Sequence, residues 1–143
     1  MPYHHTQTGT VILLVCAVAG VLGAFITWRA GVASMTATVV ILAAVAALFN
    51  SLTVEISDNE LRWHFGPGLW TYRLALEQID SVAIVRNAWW NGFGIRKAPS
   101  FSLYNVSGLD AVEVTLKSGD IKRIGTDDPQ GLAAALQSTA PSR

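Results

Sequence analysis

Two uninterrupted apolar runs constrain this chain more than any other feature: TVILLVCAVAGVLGAFIT from Thr10 to Thr27, and VASMTATVVILAAVAALF from Val32 to Phe49. Neither contains a charged residue. Each is about 18 residues long, so as a helix it reaches roughly 27 Å, close to the thickness of a bilayer's hydrocarbon core. A cleaved signal sequence has a basic start and one shorter apolar core. Here MPYHHTQTG holds no Lys or Arg, and a second full run follows the first. The pattern therefore predicts two transmembrane helices, 10–28 and 32–49, behind a polar N-terminal flank at 1–9.

The link Trp28-Arg29-Ala30-Gly31 forces a tight antiparallel hairpin spanning 10–49, which places both chain ends on one side of the bilayer. Small residues at four-residue spacing, Cys16, Gly20 and Ala24 on the first helix and Ala33, Ala37, Ala43 and Ala47 on the second, suit close backbone approach in lipid. All ten acidic residues and nine of the ten Lys and Arg follow Asn50, which divides the chain into a membrane part and a polar part. Charged residues make up 14% of the whole, against roughly a quarter in soluble domains. Arg29 in the link and Arg62 near the other ends almost balance under the positive-inside rule. We expect an inner (cytoplasmic) membrane location with both termini in the cytoplasm, which a cysteine-free polar domain allows. Cys16, alone and inside the first helix, reads as a packing residue.

From Ser51 the period of the apolar residues changes to two. Leu52, Val54 and Ile56, then Leu61, Trp63 and Phe65, flank the turn Ser57-Asp58-Asn59 and predict an antiparallel hairpin. Leu69 to Leu76, Ser81 to Arg86, Phe101 to Tyr104, Ala111 to Lys117 and Asp120 to Ile124 supply five further strands. Thr126-Asp127-Asp128-Pro129 is a helix-start signal, since an Asp oxygen accepts from free amides and proline suits the first turn. It predicts a helix over 129–137 at the end of a β domain spanning 50–138, with 139–143 as a tail. The fold class is α+β: an N-terminal helical hairpin, then a seven-stranded antiparallel sandwich or barrel capped by a helix.

That order resembles the pleckstrin-homology superfold, and in particular the bacterial PH-like domains of small two-pass membrane proteins. The residues that carry the closer resemblance are Arg86-Asn87-Ala88-Trp89-Trp90, Gly92-Phe93-Gly94-Ile95-Arg96, Leu103 to Gly108 and the ending Ile124 to Pro129. The resemblance implies a fold and no established activity. Lipid-binding members of the superfold resemble one another in basic residues around the first hairpin loop. Here that loop, Ser57-Asp58-Asn59-Glu60, is acidic and would repel anionic headgroups.

The longest break between strands, Arg86 to Gly108, holds the candidate binding surface: Arg86, Trp89, Trp90, Phe93, Arg96 and Lys97. Three readings compete for it. The tryptophans close an open end of the barrel over Phe101 and Tyr104; they sit at the headgroup level of the bilayer; or they form an aromatic and cationic anchor for a protein partner. Adjacent residues of an extended chain point opposite ways, so one ring is expected inward and one outward.

Other motifs are weaker. Gly92-Phe93-Gly94 lacks the third glycine and the helix of a nucleotide loop. His4 and His5 read as ordinary flank and His64 as an exposed strand residue. Asn105-Val106-Ser107 reads as a turn in which Asn bonds its own backbone. We identify no catalytic motif, metal site or cofactor. The expectation is a non-enzymatic membrane protein that presents a PH-like binding or assembly domain at the membrane surface. Its partners would be the lipid bilayer and another membrane or cytoplasmic protein or its own copy, with no nucleic acid. An anionic-lipid sensor is the second reading, and a subunit of a membrane enzyme or transporter complex the third.

Overall fold

A computed structural model describes residues 2–139. Strand β1 (Tyr3–Thr8) leads into helix α1 (Thr10–Thr27), a single 3₁₀ turn at Trp28–Ala30, and helix α2 (Val32–Leu48). Strands β2 (Ser51–Ser57), β3 (Glu60–Phe65), β4 (Thr71–Ala75), β5 (Ile79–Arg86), β6 (Gly94–Lys97), β7 (Ser102–Asn105), β8 (Asp110–Leu116) and β9 (Ile121–Gly125) follow, and helix α3 (Pro129–Thr139) ends the order. The architecture is α+β, with nine strands in two sheets rather than the seven expected. Helix α3 runs two residues past the expected end at 137 and takes in Thr139, the first residue of the segment read as a tail, while the rest of that segment lies outside the described residues.

The first sheet has the order β1-β2-β3-β4 and is antiparallel throughout. The second has the order β5-β8-β9-β7-β6. It corrects the fully antiparallel expectation, because β7 runs parallel to β9, with Leu103 beside Arg123 and Tyr104 beside Ile124. The cause is a crossing: β9 inserts between β7 and β8, and the chain passes over its end through Val106 to Leu109. Asn105, fully buried, holds that crossing by donating to the Gly108 carbonyl at 2.9 Å and accepting from the Ser107 amide at 3.3 Å.

Each additional strand has its own reason for being missed. β1, in the segment read as flank, pairs Tyr3 with Ile56 through Thr8 with Ser51. Its inward face is Tyr3, His5 and Gln7, polar residues that reach the connections flanking the second sheet by polar contacts. The Tyr3 hydroxyl donates to Asp128 at 3.1 Å, His5 meets Asp127, and Gln7 donates to the Ser107 carbonyl at 3.0 Å. β6 lies inside the long break and pairs with β7 as a short hairpin.

One apolar core joins both sheets and α3. Leu52, Val54, Leu61 and Trp63 come from the first sheet, Val112, Val114 and Ile124 from the second, and Leu132 and Leu136 from the helix. Trp63 stacks on Tyr72 with ring centroids 5.6 Å apart and meets Tyr104 edge-on at 5.1 Å. Burial, with Tyr72 beside it, pushes the Tyr104 phenol above its ordinary pKa.

Helices α1 and α2 contact one another and contain no buried residue. The predicted stripe holds on α1, where Cys16, Gly20 and Ala24 are half-buried. It fails on α2, where Ala33, Ala37, Ala43 and Ala47 are exposed and Met35, Thr38, Leu42 and Ala46 face the partner helix. The reason is geometric: the hollows over Gly20 and Gly23 are filled by Leu42 and Thr38, so only one helix needs small residues.

Candidate functional site

The loop after β5 is fixed at its root before it turns outward. Asn87 is 4% exposed, and its backbone amide donates to the Leu109 carbonyl at 2.7 Å. Arg123 donates to the Asn87 side chain at 3.3 Å and to Glu113 at 2.7 Å, while its guanidinium lies 3.9 Å from the centre of the Phe101 ring. Three elements thus hold one end of the loop. From Ala88 the chain makes a single 3₁₀ turn, Trp89–Asn91, and escapes it at Gly92, whose φ of +78° a side chain would disfavour.

Both tryptophans point outward, 74% and 72% exposed, with rings edge-to-face and centroids 5.9 Å apart. The expectation of one inward ring is corrected. It assumed an extended chain, and in a 3₁₀ turn adjacent side chains are not opposed. The structure also removes Phe101 and Tyr104 from beneath them: Phe101 faces Arg123, and Tyr104 belongs to the core.

The remaining candidates divide. Phe93 and Arg96, with Ile95, form one wall of a cavity of about 430 Å³ whose other wall is the domain-proximal end of the helix pair, including Ile12, Cys16 and Phe49. Arg96 also donates to the Phe93 carbonyl at 3.4 Å. Arg86 lies apart, in an exposed ion pair with Asp110 at 3.6 Å. Lys97 is turned to a separate polar cavity of about 340 Å³ with Phe101 and Lys122.

The strand expected over Leu69 to Leu76 begins only at Thr71, which leaves Leu69 and Trp70 outside it, 67% and 56% exposed, after the Gly66-Pro67-Gly68 break. That break begins against the end of α2: a Cβ on Gly66 would lie 2.6 Å from the Leu48 carbonyl oxygen, and Gly66 has a φ of +48°. An aromatic residue two positions past a glycine-rich turn was the available signal. Trp28 is likewise 75% exposed at the far end of the helix pair, so four of the five tryptophans face outward.

His5, His64 and the first hairpin loop are structural, while His4 is exposed. His5 joins β1 to Asp127, and His64 is half-buried beneath Gly68 rather than exposed. In the acidic loop, Arg62 reaches Glu60 at 3.0 Å and Asp58 at 3.9 Å. Among the described residues, no group of three or more His, Cys, Asp or Glu is placed to hold a metal ion. The chain matches no protein-family model and no curated protein sequence.

Proposed function

We propose that the chain is a two-pass integral membrane protein of the bacterial PH-like type. Its β domain is a non-catalytic module held against the bilayer surface, with both termini on the cytoplasmic side and the Trp89–Lys97 loop as its contact. The observation that carries this reading is the cavity shared by that loop and the helix ends, which puts Phe93 to Arg96 level with Ile12 and Cys16. A loop at that height meets the headgroups of any bilayer the helices cross.

The surface of the helix pair supports the same reading. Residues 10–30 form one helical stretch long and apolar enough to cross a membrane, and Val32–Leu48 is a shorter apolar helix. Val21, Phe25, Ile26 and Val32 are each at least 72% exposed, an apolar surface that water does not tolerate and hydrocarbon does. Trp28 at one end and Trp89 and Trp90 near the other suit the two interfaces, where indole rings favour the headgroup level.

Assembly with a partner protein or a second copy is the second reading. It is favoured by the exposed tryptophan pair between Arg86 and Arg96, a composition found at interface anchors. Photo-crosslinking from position 90 in native membranes separates the two. Adducts of lipid mass support bilayer contact, and adducts of discrete protein mass support assembly. Absence of both, with the chain extracted by salt alone, would remove the membrane reading.

A further inference from the structure

We infer that the cavity between the helix ends and the Gly92–Arg96 segment seats one anionic glycerophospholipid, an acyl chain between the walls and the phosphate on Arg96. The inference rests on the membrane reading above and names the ligand of that same surface.

The cavity's chemistry has two parts. Ile12, Phe49, Phe93 and Ile95 make its body apolar, and among the described residues Arg96 is the only charged side chain that lines it. Its volume, about 430 Å³, lies in the usual range of ligand pockets, roughly 300–1,000 Å³. Val15 and Val45, which also line it, are 59% and 37% exposed, so the cavity is open to whatever medium surrounds the helix pair, and in a bilayer that medium is acyl chain. An acyl chain of a surrounding bilayer lipid therefore enters sideways without leaving hydrocarbon.

Charge selects the headgroup. Among the described residues no carboxylate lies within ion-pair distance of Arg96, whereas Arg86 and Arg123 each have one and Arg62 has two. Among the described residues the one hydrogen bond of the Arg96 side chain uses Nε, to the Phe93 carbonyl, and leaves both terminal nitrogens uncommitted. Gly92 permits this arrangement. A Cβ there would sit 3.2 Å from two guanidinium nitrogens of Arg96, so glycine lets the group lie across the loop at the cavity's edge. A planar donor fork of this kind matches phosphate in two-point contact. An apolar peptide would fill the body of the cavity and leave that cation unanswered.

The test uses the full chain, reconstituted in phosphatidylcholine nanodiscs with or without phosphatidylglycerol. Native mass spectrometry reads retained lipid, and alkylation of Cys16, which lines the cavity and is the chain's sole thiol, reads occupancy. We expect one phosphatidylglycerol retained per chain and slowed Cys16 alkylation. Arg96→Gln should weaken retention about tenfold, as loss of a charge-assisted contact implies, and Arg96→Lys should restore part of it. Val15→Trp should exclude lipid of either headgroup. Retention that is independent of headgroup and of both variants overturns the inference, as does an embedded chain that retains no lipid. Quenching of Trp89 and Trp90 by brominated lipid separates the cases: quenching without retained lipid defeats this inference alone, and a chain not embedded at all defeats both.

Discussion

The backbone amide of Gly9 donates to the Asn50 carbonyl across 2.7 Å, closing the base of the helix pair where it joins the first sheet. The strand that enters α1 and the strand that leaves α2 are thus neighbours in one ladder, Thr8 opposite Ser51. This junction ties the base of the helix pair directly to the first sheet.

Gly9 is required there by space. A Cβ at that position would stand 2.5 Å from the Phe49 carbonyl oxygen and 3.2 Å from the Asn50 carbonyl carbon, and backbone cannot rotate away. Gly9→Ala should lower stability by about 1–3 kcal/mol, the usual cost of overpacking. Ser100→Ala, at an exposed position, should change it by less than about 0.5 kcal/mol. Denaturant titration of the full chain in detergent, followed by near-ultraviolet dichroism, measures both. Equal midpoints would show that the junction tolerates separation.

The contact between Tyr3 and Asp128 gives a dependence on pH. Burial first, and then the Asp128 charge, raises the Tyr3 phenol above its ordinary pKa of about 10. A raised pKa means the fold favours the neutral phenol. Its contribution is complete below pH about 10 and is lost as pH climbs from there towards the folded-state value. Tyr3→Phe should therefore flatten the alkaline decline in stability, leaving the part due to Tyr104, which shifts in the same direction. At neutral pH the variant should lose about 0.5–1.5 kcal/mol with the hydrogen bond. A decline as steep as that of the parent chain would exclude Tyr3 as its source.

What the sequence disclosed follows how local each signal is. Asp58 and Asn59 have φ of 51° and 63°, the two positive values a tight hairpin turn demands, and their residue types announce it. Asp128 caps α3 by accepting from the Gly131 amide at 3.1 Å, as Asp before Pro suggests. The self-bonded turn at Asn105 was equally readable, although its complete burial was not. β1 stayed hidden because Tyr3, His5 and Gln7 dock through polar contacts with Asp128, Asp127 and Ser107, residues more than a hundred positions away except for the Gln7 partner at 100. The parallel pairing of β7 with β9 has no periodicity of its own, since alternation is the same in either direction. At the candidate site, residue types were legible in Trp89, Trp90 and Arg96. Which of them touch the helices was a matter of tertiary placement.

Trp89 and Trp90 should be dispensable for folding and necessary for surface contact. Their exposure leaves little core to lose, so Trp89→Ala with Trp90→Ala should move the unfolding midpoint by less than about 0.5 kcal/mol for each site. Quenching of the chain's fluorescence by brominated lipid should fall substantially in the double variant. Trp63→Ala is the contrast. Trp63 is 1% exposed and packed on Tyr72 and Tyr104, so its loss should cost about 3–5 kcal/mol. A double variant as damaging as Trp63→Ala would return the tryptophan pair to a packing role.

Arg123 should control where the loop lies without belonging to its contact surface. It bridges Glu113 on β8 to Asn87 at the loop root and covers Phe101 at the far side of the same loop. Arg123→Ala leaves Glu113, only 20% exposed, without its cation. The loss of a hydrogen bond between charged groups is worth about 1.5–3 kcal/mol. The distinguishing readout is positional. Brominated lipids carrying the label at different depths should report a broader distribution for Trp89 and Trp90 in Arg123→Ala than in the parent, because Asn87 no longer holds the root from the side-chain side. Its backbone bond to Leu109 remains, so the loop should stay attached and the domain folded. A stability loss with an unchanged depth profile would confine Arg123 to bracing the sheet.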